Sequence, residues 1–363
     1  MEHWQRSLAE SLTSPEELAG RFPLDTEVLK PVVQRYPMRI TPHYLGLVEH
    51  VGDPIWLQCV PDLRELREDG LPSDPLDEEG LSPLPGLIHR YPDRVVLIVS
   101  SLCATFCRFC MRKRYVGCPD RQNRLNSLGS ALEYIEKTAG VRDVILSGGD
   151  PLLLPDEGLD EILSKLRKIE HVEIIRIGSR TPVILPERIT LRLCRMLKKH
   201  QPVYVNTHFN HPREITAQSA EACARLADAG IPIGNQTVLL KGVNDDLPVM
   251  RDLMQKLLTI RVRPYYIHQM DLVKGTSHFR ARIEQGLKIM EGLRGHISGM
   301  ATPYYVVDLP GGKGKVPILP EYAKRVGDTY FLRNYKGEVV EYRDPESVRT
   351  ENEVMRVDEK NHD

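Results

Sequence analysis

The chain has no excess of either charge: 49 Lys and Arg stand against 50 Asp and Glu, a formal net charge of −1. Binding to nucleic acid through bulk electrostatics is therefore not expected. A long hydrophobic run is also missing. The longest uncharged apolar stretch, Val95 to Phe106, is too short to cross a bilayer. Met1-Glu-His-Trp-Gln-Arg6 has no apolar signal-peptide core. A cytoplasmic address without a membrane partner is expected. There is no internal repeat and no low-complexity tract. Cysteine is absent beyond Cys223, and the total of seven is odd, which makes a disulfide framework a poor reading of a long cytosolic chain.

What is present is a globular composition, 41% hydrophobic and 27% charged, in 363 residues, enough for one large domain with extensions or for two. Residues 1–85 read as short helices broken by loops. Ser14-Pro15-Glu16-Glu17 has a helix-start signature: an N-cap Ser, Pro at the first helical position and acids in the first turn. Residues 69–86 are rich in proline and glycine and read as a linker or wrapped loop. From about residue 90 the pattern changes to β-branched runs alternating with amphipathic stretches. The expected strands are Val95–Ser100, Asp143–Ser147, Glu173–Ile177, Val203–Thr207, Ile233–Leu239 and Arg263–His268. Strand and helix alternating six times predict an α/β fold with parallel strands, either a doubly wound sheet or a full or partial barrel. Active sites of such folds sit at the carboxyl ends of the strands. Polar residues gather there: Ser147 to Asp150, Gly178 to Arg180, His208 to His211, Asn235-Gln236 and His268 to Asp271. The segment after 318 is charged and peripheral, with a small hairpin expected around Asn334–Gly337.

Three cysteines crowd one loop just after the first expected strand, Cys103-Ala-Thr-Phe-Cys107-Arg-Phe-Cys110. Thiolates this close can converge on one soft metal centre. A structural zinc would need a fourth ligand, for which Cys118 is the only cysteine in range. A [4Fe–4S] cluster with three cysteine ligands would leave one iron open. Buried thiols with no common purpose are the remaining reading.

This spacing resembles the signature of the radical S-adenosylmethionine (SAM) superfamily. Ser147-Gly148-Gly149-Asp150-Pro151 lies where that superfamily has a glycine-rich turn for the methionyl amine of SAM. More narrowly, the chain resembles the lysine 2,3-aminomutase family over residues 30 to 340. The resemblance is carried by His89-Arg-Tyr-Pro-Asp-Arg94, Cys107-Arg-Phe-Cys-Met-Arg-Lys-Arg114, Asn206-Thr-His-Phe-Asn-His-Pro212, Asn235-Gln-Thr-Val-Leu-Leu-Lys-Gly-Val-Asn244, His278-Phe-Arg280 and Asp308-Leu-Pro-Gly-Gly-Lys-Gly-Lys315.

The resemblance implies a partial (β/α)6 barrel over 86–285, a helical N-terminal region and linker over 1–85, and a C-terminal segment over 286–363 that binds pyridoxal 5′-phosphate (PLP). It implies a [4Fe–4S] cluster on Cys103, Cys107 and Cys110, and SAM contacts from Ser147, Gly148, Gly149, Asp150, His208 and Gln236. It places the PLP phosphate with Arg90, Tyr91 and Arg94, and the Schiff-base lysine at Lys315, with Lys313 a local rival. Arg112 falls where the family binds the substrate carboxylate, and Asp271 and Asp308 where it binds the side-chain ammonium of lysine. The implied reaction is a 2,3-amino migration on free L-lysine, an isomerisation started by one electron from a flavodoxin- or ferredoxin-type donor. Relatives that use glutamate or arginine, or that supply β-lysine to elongation factor P, are the alternatives. A non-catalytic iron–sulfur protein is the alternative of another class. No interface zinc is expected, because no thiol follows Cys223, and any homo-oligomer would form through the helices of residues 1–85.

Overall fold

A computed structural model describes residues 2–117 and 128–345, which leaves Cys118 outside the described residues. Nine strands form one sheet in strictly sequential order. The strands are β1 (Leu87–Tyr91), β2 (Arg94–Ser100), β3 (Asp143–Gly148), β4 (Ile174–Gly178), β5 (Val203–Thr207), β6 (Ile233–Leu239), β7 (Arg263–Gln269), β8 (Tyr304–Asp308) and β9 (Lys315–Pro317). Strands β2 to β8 are parallel, while β1 and β9 pair antiparallel at the two edges. Sequential order without a reversal excludes the doubly wound alternative and makes a partial barrel. The parallel set has one strand more than the six expected, because Tyr304–Asp308 extends it beyond β7.

Side-chain alternation explains how the sheet divides its surroundings. Along β4 and β6 every second residue is fully buried, and the residues between are only partly covered. Ile175, Ile177, Val203, Val205, Ile233 and Ile267 enter the apolar core, with the helices Asp156–Arg167, Leu191–Lys198, Ala217–Asp228, Leu247–Thr259 and Ile283–Leu293. The other face carries Ser147, Arg176, Tyr266, His268 and Asp308, and so opens a polar hollow inside the curl.

The N-terminal helices join the same core: Trp4, Leu18, Tyr44, Ile55 and Trp56 pack continuously with the sheet residues. The expected helix start is present, with Ser14 capping Pro15–Ala19 by accepting from Glu17 N at 3.2 Å. These helices also anchor the cysteine loop. Arg108, almost without exposure, meets Glu65 through Nε at 2.9 Å and Nη2 at 2.6 Å, and donates to Pro37 O at 2.8 Å. Lys113 Nζ reaches the same carboxylate at 2.5 Å. Removing one partner of a buried ion group leaves the other charges uncompensated. Glu65→Ala is expected to lower the unfolding free energy by about 3–5 kcal/mol in denaturant titration, a cost far above that of a surface pair.

Past the barrel, β10 (Ala323–Val326), β11 (Thr329–Arg333) and β12 (Val339–Arg343) form a separate antiparallel sheet. The expected hairpin is its β11–β12 turn, closed by Asn334 N donating to Glu338 O at 2.9 Å. Among the described residues no helix is long and apolar enough to cross a membrane.

Candidate functional site

The cysteine loop lies at the carboxyl end of β2, where Cys103, Cys107 and Cys110 are half-buried free thiols. Burial raises the Cys110 thiol to about 11, with a further push from Cys107, and burial raises Cys103 strongly too. Among the described residues no three His, Cys, Asp or Glu side chains are gathered tightly enough for a single metal ion. The nearest charge is Arg180, just past β4. Its Nη1 donates to Cys107 Sγ at 2.8 Å, while Nη2 is held by Glu214 at 2.7 Å, Gln58 at 2.7 Å and Tyr44 at 2.9 Å.

The turn after β3 wraps under this loop. Gly148 has φ +125°, and a Cβ there would lie 2.2 Å from Ser100 O; one on Gly149 would lie 2.2 Å from Leu102 O. The paired glycines are thus demanded by the backbone that leads into the cysteines, and not only by an approaching ligand. The carboxylate of Asp150, a residue expected at the SAM site, is engaged by the protein itself. It accepts from Leu152 N at 3.0 Å, Ser179 Oγ at 2.7 Å, Arg180 N at 2.8 Å and Thr181 N at 3.0 Å. Four donors fill its lone pairs, so it staples the β3 turn to the β4 turn. Ser147 accepts from Arg112 Nη1 at 2.9 Å.

His208 follows β5 and stacks beside Phe109 of the cysteine loop, 5.5 Å between ring centroids. Burial and the Arg180 charge push it well below the usual histidine range, so it is neutral at pH 7. Its Nε2 is buried without a hydrogen-bond partner. Gln236 lies on β6 in register with Tyr266 of β7, on the same face of the sheet.

The other end of the hollow is built where β7, β8 and β9 meet. Lys315 Nζ pairs with Asp308, the residue opposite it across the β8–β9 ladder, and stands 3.3 Å from His268 Nδ1. His268 Nδ1 is also 3.3 Å from Asp308 Oδ2, and Arg90 Nη1 is 3.6 Å from Asp308 Oδ1. Burial alone would raise Asp308, but the His268 hydrogen bond and the Lys315 charge hold it well below the usual carboxylate range. Asp271, just past β7, goes the other way: burial and then repulsion from Asp308 lift it to about 7. Among the described residues Asp271 forms no ion pair. Tyr91 OH accepts from Lys315 N at 2.9 Å, and Arg94 stacks on the Tyr91 ring at 4.4 Å. Lys313 is exposed.

Comparison with known proteins decides what this pocket belongs to. A radical SAM superfamily profile matches residues 97–254, and a lysine-2,3-aminomutase profile matches residues 290–362. The chain is 49% identical to the L-lysine 2,3-aminomutase of Fusobacterium nucleatum, over 96% of this chain and 84% of that protein. It is likewise 49% identical to that of Clostridium subterminale, over 94% and 84%. The chain belongs to the lysine 2,3-aminomutase family. A 45% identical relative, covering 95% of this chain and 83% of its own length, is the glutamate 2,3-aminomutase of Clostridioides difficile.

As a radical SAM member of the aminomutase family, the chain is an isomerase that uses SAM and a [4Fe–4S] cluster. The residues present fit that pair. Three thiols share one loop, a cation touches one sulfur, and an unpartnered imidazole nitrogen, His208 Nε2, remains for a ligand. Sequence reasoning missed Arg180 as a sulfur contact, Phe109 beside His208, His268 between Lys315 and Asp308, and Glu78 on Arg112. The aromatic between two family cysteines was a usable signal for Phe109. For Glu78, in the proline-rich segment, no local signal existed.

Proposed function

We propose that this chain interconverts L-lysine and β-lysine by migration of the α-nitrogen to the adjacent carbon, with PLP as a third cofactor and a low-potential flavodoxin- or ferredoxin-type protein as electron donor. When bound, the cluster and SAM supply a carbon radical able to remove a hydrogen atom, and PLP supplies the carbonyl that holds the migrating nitrogen. Cys103, Cys107 and Cys110 hold the cluster, with His208, Gln236 and the turn of Ser147, Gly148 and Gly149 near SAM. Lys315 anchors PLP; Arg90, Tyr91 and Arg94 take its phosphate. Support for the phosphate end comes from Arg90 Nε, a buried donor without a partner. Arg112 receives the substrate carboxylate.

The observation that carries the substrate assignment is the acid pair. Asp271 is a half-buried carboxylate lifted to about 7 with no ion-pair partner among the described residues, beside an Asp308 already committed to cations. An arriving ammonium relieves the repulsion between the two acids, whereas a glutamate side chain would add a third negative charge. Family membership alone does not choose between these substrates, since relatives of both names match; the two acids favour lysine.

Steady-state kinetics on the reconstituted enzyme test this. L-lysine should have the highest kcat/KM, and Asp271→Asn should lower it by at least about thirtyfold with iron content and PLP binding unchanged. The elevated Asp271 adds a pH signature. Its carboxyl is protonated below about 7, so KM for lysine should rise as the pH falls from about 8 to about 6, and Asp271→Asn should flatten that rise. Preferred turnover of glutamate or arginine would overturn the assignment.

A further inference from the structure

The segment read as a linker or a wrapped loop lies as a strap across the mouth of the hollow. Pro75 O accepts from Gly311 N at 2.8 Å, and Leu76 O accepts from Arg90 Nη2 at 3.2 Å. Gly312 has φ +69°, and a Cβ there would lie 2.3 Å from Leu81 Cδ1. The strap is therefore sewn to the loop that carries Lys315 and to Arg90.

Its buried acid is Glu78, 5% exposed. Arg112 Nε lies 3.1 Å from both Glu78 oxygens, and Nη2 lies 2.6 Å from Oε1. Arg114 Nη2 adds a contact at 3.3 Å. A guanidinium has five N–H groups in a rigid fork. Glu78 takes Nε–H and one on Nη2, and Ser147 takes one on Nη1 at 2.9 Å. One N–H remains on each terminal nitrogen, so Arg112 keeps two charged donors for a carboxylate.

We propose that Glu78 is a positioning residue for the substrate: it grips the Nε–Nη2 side of Arg112 while Ser147 holds Nη1, so that the remaining terminal N–H groups receive the α-carboxylate of the amino acid. The inference rests on the role given above to Arg112 and makes the strap a wall of the substrate site. A positioned fork loses less rotamer freedom on binding, so Glu78 strengthens carboxylate capture without touching the substrate.

The test compares L-lysine with 1,5-diaminopentane, the same chain without its carboxylate, on reconstituted enzyme. Glu78→Gln should raise KM for L-lysine by about tenfold while leaving the competitive inhibition constant of diaminopentane within about twofold. Glu78→Asp, which keeps the charge, should recover part of the loss and serves alone if the Gln variant does not fold. A lower KM in either variant would mean that Glu78 occupies the carboxylate site and competes with substrate, and would overturn the inference. Equal weakening of both ligands, or no change, would overturn it too. Absence of L-lysine turnover by the wild type would instead overturn the substrate reading. The Glu78 comparison would then use the amino acid that is turned over and its decarboxylated counterpart.

Discussion

Changing any one of Cys103, Cys107 or Cys110 to Ala is expected to give a folded protein with no [4Fe–4S] cluster and no SAM cleavage. Three thiolates are the whole protein ligand set assigned to the cluster, so losing one opens a second iron to solvent and oxygen. The remaining described cysteines offer no rescue. Cys59, Cys194 and Cys223 sit in the apolar core with at most 2% exposure, and burial raises their thiols, to about 11 for Cys194 and about 12 for Cys223. Ala at any of those three should cost some packing but retain iron. Iron and sulfide per chain, visible absorbance and methionine release after reduction are the measurements. Full iron and activity in a Cys107→Ala protein would defeat the assignment. The Arg180 contact makes Cys107 the most informative of the three, since its loss also leaves a buried guanidinium short of one acceptor.

Lys315→Ala should lower turnover by about a thousandfold or more while leaving the iron content intact, because the two ends of the hollow use different residues. Borohydride reduction of the wild type followed by peptide mapping should place the pyridoxyl group on Lys315. An adduct on Lys313, or none, would refute the position. The structure gives a physical reason for the choice: Lys313 is exposed, whereas Lys315 is held by Asp308 and His268. The substitution has a second effect. It removes one of the charges that hold Asp308 ionised beside Asp271, leaving the His268 hydrogen bond and Arg90, and two adjacent carboxylates sheltered from water cannot both stay charged cheaply. The variant should therefore take up a proton and melt lower at pH 8 than at pH 6, where Asp271 is neutral.

Much of this was legible in the sequence where the physics is local. The cysteine loop, the six strands β2 to β7 and the capped helix at Pro15 each announce themselves within a dozen residues, through spacing, alternation or an N-cap. The edges of the sheet do not. β9 is Lys-Val-Pro, three residues after a glycine-rich loop, and becomes a strand only because Asp308 and Val307 offer it a ladder. Likewise Asp150 has the look of a ligand residue, and its structural duty appears only when the β4 turn, some thirty residues on, is brought against it. Glu78 reaches Arg112 across a similar gap, and no periodicity encodes an ion pair between two loops.

The bond from Lys315 N to Tyr91 OH joins the last strand of the sheet to the first. Synthesis from the N-terminus makes that closure a late event. A nascent chain emerging from the ribosome completes the cysteine loop and its neighbouring strands long before residue 315 is synthesised, so the iron-binding end can form while the lysine-bearing end does not yet exist. Cluster insertion and completion of the Lys315 end can thus occur at different moments in the life of the polypeptide, and a chain truncated before β9 should still fold enough to take iron yet present only half of the hollow.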